Sequence, residues 1–298
     1  MKKELIAHKN PKSPNSEIFR TLRTNIQFMN TNKKLQTLLV TSTFPGEGKS
    51  WVSSNLAVTF AQAGKRVLIV DADMRKGRQH QIFEVDNSKG LSNYLIMTTK
   101  NDVVNTIGEY IKPTLIDNLY VMTSGMVPPN PSELLTSQKM IDLIKYLEKI
   151  FDVVIFDGTP STVVTDAIIL SKFVNETLIV TAHKITKIDD LNQVKRNVQN
   201  VGGKIAGIIL NKMPSKRKEY KSGYYYENAV ITSRKNVFSS VKLNSKKKIE
   251  DNEIKEVKRK LNEVENVPEK RDEKPQEDVD INLVLKQLSK YLTEADKK

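Results

Sequence analysis

Residues Thr43 to Ser50 read Thr-Phe-Pro-Gly-Glu-Gly-Lys-Ser and join an apolar run, Leu38-Leu39-Val40, to a helical pattern starting at Trp51. A strand that feeds a glycine-rich turn and then a helix makes a phosphate-binding loop, so this junction constrains the fold more than any other stretch. Gly46 and Gly48 let backbone N–H groups curl round an anion, and the helix N-terminus adds the positive end of its dipole. Lys49 is the cation expected at the β- and γ-phosphates, and the Ser50 hydroxyl is the ligand expected for Mg2+. The nucleotide-binding turn is therefore predicted as Pro45, Gly46, Glu47, Gly48, Lys49, Ser50 and Trp51. Thr43 stands where the common pattern has Gly, a deviation that the strand, turn and helix context offsets. Val52, Leu56, Ala57 and Phe60 share one helix face, which predicts an amphipathic helix closed by Gly64.

From about Gln36 to Asn211 apolar strands alternate with helical patterns, the signature of successive βαβ units. The strands expected are Leu38–Thr41, Val67–Val70, Leu119–Met122, Val153–Phe156, Leu178–Thr181 and Ile205–Leu210. The fold class is thus α/β, a doubly wound, mostly parallel sheet with helices on both faces. Met140, Leu143, Ile144 and Leu147 recur at helical spacing after the proline-rich turn at Pro128-Pro129-Asn130-Pro131. Ahead of the first strand, Ser16 is expected to cap a helix bearing Glu17, Arg20 and Arg23.

Composition shifts after Met213, so three regions are expected: a nucleotide-binding domain over 1–213, a basic tyrosine-rich segment over 214–230, and a tail over 231–298. The tail is rich in charge and poor in large apolar residues, which predicts disorder, because little apolar burial is available to offset ordering entropy. A weak amphipathic period at Ile281, Val284, Leu285, Leu288 and Leu292 leaves room for a short terminal helix. No apolar run is long enough to span a membrane, Met1-Lys2-Lys3-Glu4 does not begin a secretory signal, and there are no cysteines. A cytoplasmic protein without disulfides is expected. His8, His80 and His183 are scattered, which argues against a zinc site. The net charge of +13 points to an anionic partner. No helix-turn-helix, zinc finger or aromatic RNA platform accompanies it, so nucleic acid is not expected.

Acidic residues follow two of the expected strands, at the carboxyl edge where doubly wound sheets bind ligands. One segment is Val67-Leu-Ile-Val-Asp71-Ala-Asp73-Met-Arg75, and the other is Val153-Val-Ile-Phe-Asp157. Asp157 sits where an acid holds Mg2+ through water. Three carboxylates exceed what retaining a cation requires, leaving one as general base or as an anchor behind the ligands. For Asp71 and Asp73 the plainer alternative is helix capping. The amide of Asn211, at the end of the last strand, is a candidate reader of the adenine edge, although Asn is also an ordinary strand-end residue.

With these residues in place, the chain resembles the bacterial tyrosine kinases that regulate capsular and exopolysaccharide synthesis. The phosphate loop, Asp71-Ala-Asp73-Met-Arg75 and the strand ending at Asp157 resemble that family's three Walker motifs. Glu17-x-x-Arg20-x-x-Arg23, Gly90-Leu-Ser, Pro128-Pro-Asn-Pro-Ser-Glu-Leu-Leu135 and Thr165-Asp166-Ala follow in the family's order, and Tyr220, Tyr224, Tyr225 and Tyr226 resemble its autophosphorylated cluster. The resemblance covers roughly residues 13 to 228 and implies an ATP- and Mg2+-dependent P-loop kinase of the deviant Walker type. It further implies Lys49, Asp71, Asp73 and Asp157 as catalytic residues, with Asp71 taking the tyrosine proton and Ser50, Asp73 and Asp157 around the metal. Glu17, Arg20 and Arg23 would assemble a ring that phosphorylates in trans. A separate membrane-spanning modulator would activate the kinase and hold it at the inner face of the membrane, and a phosphotyrosine phosphatase would oppose it.

Two departures stand out. Gly77 replaces the family's usual proline, and Gly158-Thr159-Pro160 replaces two prolines after the third acid; both are expected to loosen a loop near the metal. Residues 229–298 have no counterpart in the resemblance. The nearest competing class, the partition and division-site ATPases, resembles this chain in its loop but carries a signature lysine where Phe44 stands, and gives no reason for clustered tyrosines. A nucleotide-binding scaffold without catalysis is the other alternative, and the full set Lys49, Ser50, Asp71, Asp73 and Asp157 argues against it.

Overall fold

The computed structural model describes residues 4–29, 35–97 and 107–214. The tyrosine cluster, the charged tail and its terminal amphipathic stretch lie outside the described residues. Along the chain run α1 (Ile6–Lys9), α2 (Pro14–Met29), β1 (Thr37–Ser42), α3 (Lys49–Gln62), β2 (Val67–Asp71), α4 (Gln79–Phe83) and α5 (Leu91–Met97). A 3-10 turn (Ile107–Glu109), β3 (Lys112–Pro113), β4 (Leu119–Met122), α6 (Pro131–Thr136) and α7 (Gln138–Ile150) follow. The domain closes with β5 (Val153–Pro160), α8 (Asp166–Ser171), β6 (Glu176–Ala182), α9 (Ile188–Asn200) and β7 (Ile205–Asn211).

The strands form one seven-stranded sheet in the order β3-β4-β2-β5-β1-β6-β7. All pairings are parallel except β3 with β4. The six parallel strands are those the apolar runs announced. The two-residue β3 was not anticipated, because Lys112-Pro113 has no strand pattern and pairs only by tertiary apposition. β1 and β2 are buried along their whole length, as expected of parallel strands covered by helices on both faces. α7 turns Met140, Leu143, Ile144, Leu147 and Ile150 inward, and each such side chain contributes about 1.5–3 kcal/mol by leaving water. Ser137 caps it by accepting from the Met140 N–H at 3.3 Å.

Two local expectations need correction. Ser13, not Ser16, caps α2: its Oγ accepts the Ser16 N–H at 3.2 Å, and Pro14 occupies the first helical position, where a missing N–H costs nothing. Ser16 lies one turn further on, fully buried, with its hydroxyl donating to Asn10 O at 2.6 Å. Nor is α3 amphipathic, since every residue from Val52 to Ala61 is buried. α1 and α2 cover the side a two-layer packing would leave to water. Asn55 anchors that cover, accepting the Ala7 N–H at 3.0 Å and donating to Glu4 O at 2.9 Å. The expected stop at Gly64 is present: at φ +77° its N–H reaches Ala61 O and the Lys65 N–H reaches Phe60 O, satisfying the last carbonyls of the helix.

Candidate functional site

β1 lies inside the sheet with β5 and β2 on one side and β6 and β7 on the other, so the turn after β1 opens at the middle of the carboxyl edge. Gly48 adopts φ +100°, and a Cβ there would stand 2.3 Å from the Asn211 amide nitrogen. Both facts demand glycine. The Asn211 Nδ2 donates to Glu47 O at 2.7 Å while its Oδ1 accepts from Lys212 N at 2.8 Å, so this amide clasps the loop backbone. Glu47, itself buried, accepts the Phe44 N–H at 2.8 Å and the Thr186 hydroxyl, tying the loop to the segment after β6.

Lys49 Nζ stands 3.0 Å from Asp73 Oδ2, 3.8 Å from Asp157 Oδ1 and 3.4 Å from Ser50 Oγ. Burial works against its charge, but the carboxylates of Asp157, Asp73 and Asp71 outweigh that and hold its pKa above the ordinary value. Asp71 is fully buried. Burial first, then the neighbouring charge of Asp157, pushes its carboxyl up to about 8, against partial relief from the Gln79 N–H and Lys49. The two capping alternatives are also realised: Asp71 Oδ2 accepts the Gln79 N–H at 2.8 Å and Asp73 Oδ1 the Lys76 N–H at 2.9 Å. Each acid therefore spends one oxygen on its own backbone and keeps the other for the site. Asp71 Oδ1 and Asp157 Oδ1 are buried without a hydrogen-bond partner.

A cavity of about 300 Å3 opens in front of the loop, lined by Gly46, Gly48, Lys49, Ser50, Trp51 and Asp73 among others. Asp71 and Asp157 sit behind this lining. Glu17, Arg20 and Arg23 are not part of the site: Glu17 pairs with Arg20 on α2, and Arg23 donates to Thr59 O, near the far end of α3, at 2.8 Å.

Residues outside the expected set hold it together. Gln79, wholly buried, donates from Nε2 to Asp157 Oδ2 at 2.8 Å and accepts the Ser54 hydroxyl at 3.0 Å. One residue thus links the acids of β2 and β5 to α3, through its backbone N–H to Asp71 and its side-chain amide to Asp157 and Ser54. No spacing rule singles out such a glutamine. Arg75 makes a two-pronged bond to Asp166, 2.8 Å from Nε and 3.2 Å from Nη2, and Ser132 Oγ donates to the same carboxylate at 2.5 Å. Three segments far apart in the sequence therefore meet at one buried acid.

The departures do not loosen the loops. A Cβ at Gly77 would fall 2.3 Å from Ser124 Oγ and 2.8 Å from Asp71 Oδ2, so the missing side chain is space filled by its neighbours. Gly158 lies inside β5, where a Cβ would meet Leu39 Cδ1 at 2.8 Å. Thr159 accepts the Ala167 N–H at 3.2 Å and, through its carbonyl, the Thr41 hydroxyl at 2.7 Å.

The raised Asp71 has a consequence for stability. Its folded form holds a proton that the unfolded chain gives up near 3.8, so its contribution is complete below that pH and is lost as pH rises toward about 8. In nucleotide-free, Mg2+-free buffer the melting temperature is expected to fall from pH 5 to pH 8, and Asp71→Asn to flatten that slope. Calorimetry across this range checks it; an equal slope in the variant would remove Asp71 as the cause.

A mostly parallel sheet, a glycine loop opening a helix, and acids side by side on two neighbouring strands, Asp71 opposite Asp157, define a P-loop nucleotide-binding protein. The family described as an AAA domain matches residues 16–213. CapB of Staphylococcus aureus is 42% identical over 223 residues, 74% of this chain and 93% of that protein. The tyrosine-protein kinase YwqD of Bacillus subtilis (strain 168) is 38% identical over 226 residues, 76% of this chain and 92% of that one. The crystal structure of the chimerical protein CapA2B2 matches at a TM-score of 0.66 and 42% identity, over 72% of this chain and 92% of that chain. The chain belongs to the bacterial tyrosine kinases of the capsular and exopolysaccharide family.

Proposed function

We propose that the chain transfers the γ-phosphoryl group of ATP to tyrosines of its own 220–226 cluster, in trans, and so regulates capsular or exopolysaccharide synthesis. The observation that carries this reading is Lys49, held between Asp73 and Asp157 directly in front of the phosphate loop. In the transfer a bond forms between the phenolic oxygen and phosphorus, the bond from phosphorus to the β,γ-bridging oxygen breaks, and ADP departs. Lys49 meets the charge that develops on the phosphoryl oxygens. Asp71 accepts the phenolic proton once Mg-nucleotide is bound: in the empty site its carboxyl, raised to about 8, still holds a proton at neutral pH, and a cation held beside it would favour the carboxylate form that acts as base. Asn211 holds the loop and faces the adenine side.

Mg2+ fits the residues present. Ser50, Asp73 and Asp157 are the residues that would hold it, and Asp157 Oδ1 is a buried oxygen awaiting a partner. Bound there, the ion would neutralise the β- and γ-oxygens.

The proposal includes a membrane-spanning modulator as activator, a ring of identical subunits, an opposing phosphotyrosine phosphatase, and a cytoplasmic place at the membrane reached through the modulator. Among the described residues no helix is long and apolar enough to cross a membrane. The division into a kinase domain (1–213), a phosphorylated segment (214–230) and a dispensable tail (231–298) belongs to the same proposal. Incubation with labelled ATP, with and without the modulator's cytoplasmic peptide, tests it. Phosphotyrosine supports a kinase, phosphate release alone a partition-type ATPase, and neither a scaffold. Phe44, where that ATPase class has its lysine, spends its N–H on Glu47 and brings no cation to a partner's phosphates.

For the ring, triple replacement of Glu17, Arg20 and Arg23 by Ala is expected to convert an oligomer to a monomer and reduce phosphorylation. Light scattering decides it. An unchanged mass would leave Glu17–Arg20 as a local ion pair and Arg23 as a tie to α3.

A further inference from the structure

The cavity in front of the loop has one apolar wall, formed by Pro160, Val163 and Val164. Asp73, two residues beyond β2, and Pro160, Val163 and Val164, at and beyond the end of β5, follow strands on the β2/β5 side of β1, whereas Asn211, the proposed adenine contact, ends β7 on the other side. Phosphates need donors and cations. Pro160, Val163 and Val164 present apolar carbon, and Val163 is 61% exposed among the described residues. Its loop is nonetheless firmly placed. Ser161 N–H donates to Ser42 O at 2.8 Å, Thr162 N–H to Thr43 O at 3.2 Å, and the Thr162 hydroxyl to that same carbonyl at 2.5 Å. The Val163 and Val164 N–H groups fold back on Pro160 O at 3.3 and 3.4 Å. Three hydrogen bonds thus join the apolar loop to the very start of the phosphate loop, fixing the distance between an exposed hydrophobic face and the γ-phosphate position.

We propose that Pro160, Val163 and Val164 form the seat of the acceptor tyrosine ring and set the enzyme's preference for phenolic over aliphatic hydroxyls. The wall lies on the side of the loop away from the proposed adenine face and next to the strands that carry the acids, where an acceptor must enter for in-line displacement. An aromatic ring laid on it removes exposed carbon from water on both partners, and a serine or threonine side chain has no ring with which to cover it. With the ring on the wall, its hydroxyl points toward the Lys49–Asp73 end of the cavity. The inference rests on the kinase reading for the identity of the occupant and adds the residues that recognise it.

Binding, measured apart from catalysis, tests it. The full chain saturated with Mg-ADP is titrated against a dye-labelled synthetic peptide of residues 216–228, followed by fluorescence anisotropy. Two further peptides carry all four tyrosines replaced by Phe or by Ser, which leaves their charge unchanged. The Phe peptide is expected to bind within a few-fold of the parent and the Ser peptide on the order of tenfold more weakly, the scale of losing one buried ring. Val163→Ser, at an exposed position that folding does not depend on, is expected to weaken the tyrosine peptide by a similar factor and leave ADP affinity in place. Equal binding of Ser and Tyr peptides would overturn the ring seat in favour of attraction by charge alone. A parallel loss of ADP affinity in Val163→Ser would assign the wall to the nucleotide instead. Failure of the kinase reading shows separately, as absence of phosphotyrosine from labelled ATP in a chain that still discriminates the peptides.

Discussion

Lys49→Met is expected to abolish phosphotyrosine and ATP turnover while leaving a native circular dichroism spectrum. The substitution keeps the length and much of the packing of the side chain but removes the cation that lies 3.0 Å from Asp73 and 3.8 Å from Asp157. Two effects follow. The charge developing on the transferred phosphoryl group loses its nearest protein counter-charge, a loss of roughly 10³-fold or more where such groups are removed from closed sites. The acids also lose the cation that offsets their mutual repulsion, so Asp71, already raised to about 8, moves further toward its protonated form and away from the form that accepts a proton. Phosphotyrosine by immunoblot and phosphate release by a coupled assay read the two activities. Undiminished phosphotyrosine would remove this loop from the catalytic site.

The second large effect separates two acids only one residue apart in the sequence. Asp71→Asn should keep nucleotide affinity and lower tyrosine phosphorylation by a factor on the order of 10²–10⁴, the scale of a positioned base. Asp73→Asn should instead weaken Mg2+-dependent nucleotide binding, because Asp73 lines the cavity and touches Lys49. Isothermal titration with Mg-ADP and quantification of phosphotyrosine on each variant give the two columns of the comparison. Loss of nucleotide affinity in Asp71→Asn together with retention in Asp73→Asn would exchange the roles. Asp71 lies behind the cavity lining, so the acceptor's proton reaches it only if the site rearranges on binding. A phosphorylation defect confined to Asp73→Asn would show that no such movement occurs.

Much of this protein was legible before any coordinates. The six parallel strands were announced by short apolar runs, because the inner strands, buried on both faces, admit little else, and the edge strand β7 carries the same kind of run although it is only partly covered. The phosphate loop was announced by glycines at positions of positive φ that side chains rarely adopt, and the acids by their place at the carboxyl ends of the apolar runs, although β5 continues past Asp157 to Pro160. Ser16 and α3 show the limit of that reading. A serine at a helix start is a cap only if it occupies the first flanking position, and Ser13-Pro14 took that place. Apolar residues at helical spacing mark one buried face, but whether the opposite face is also covered depends on which elements pack there, and α1 with α2 cover it.

The amino-acid sequence by itself determined what is local: the turn that holds an anion, the order of strands and helices, and the acid and cation types that phosphoryl chemistry requires. Tertiary structure alone decided which distant groups share a boundary. It brought Gln79 to Asp157, Arg75 and Ser132 to Asp166, Thr186 to Glu47 and Asn211 to the loop backbone. It also made Gly77 and Gly158 points of close packing, where their sequence context suggested slack. The physical reason is the same in each case. A backbone turn is set by the torsional preferences of adjacent residues, whereas a buried polar contact is set by the desolvation of two groups whose meeting depends on strand order, and neither group carries a mark of its partner.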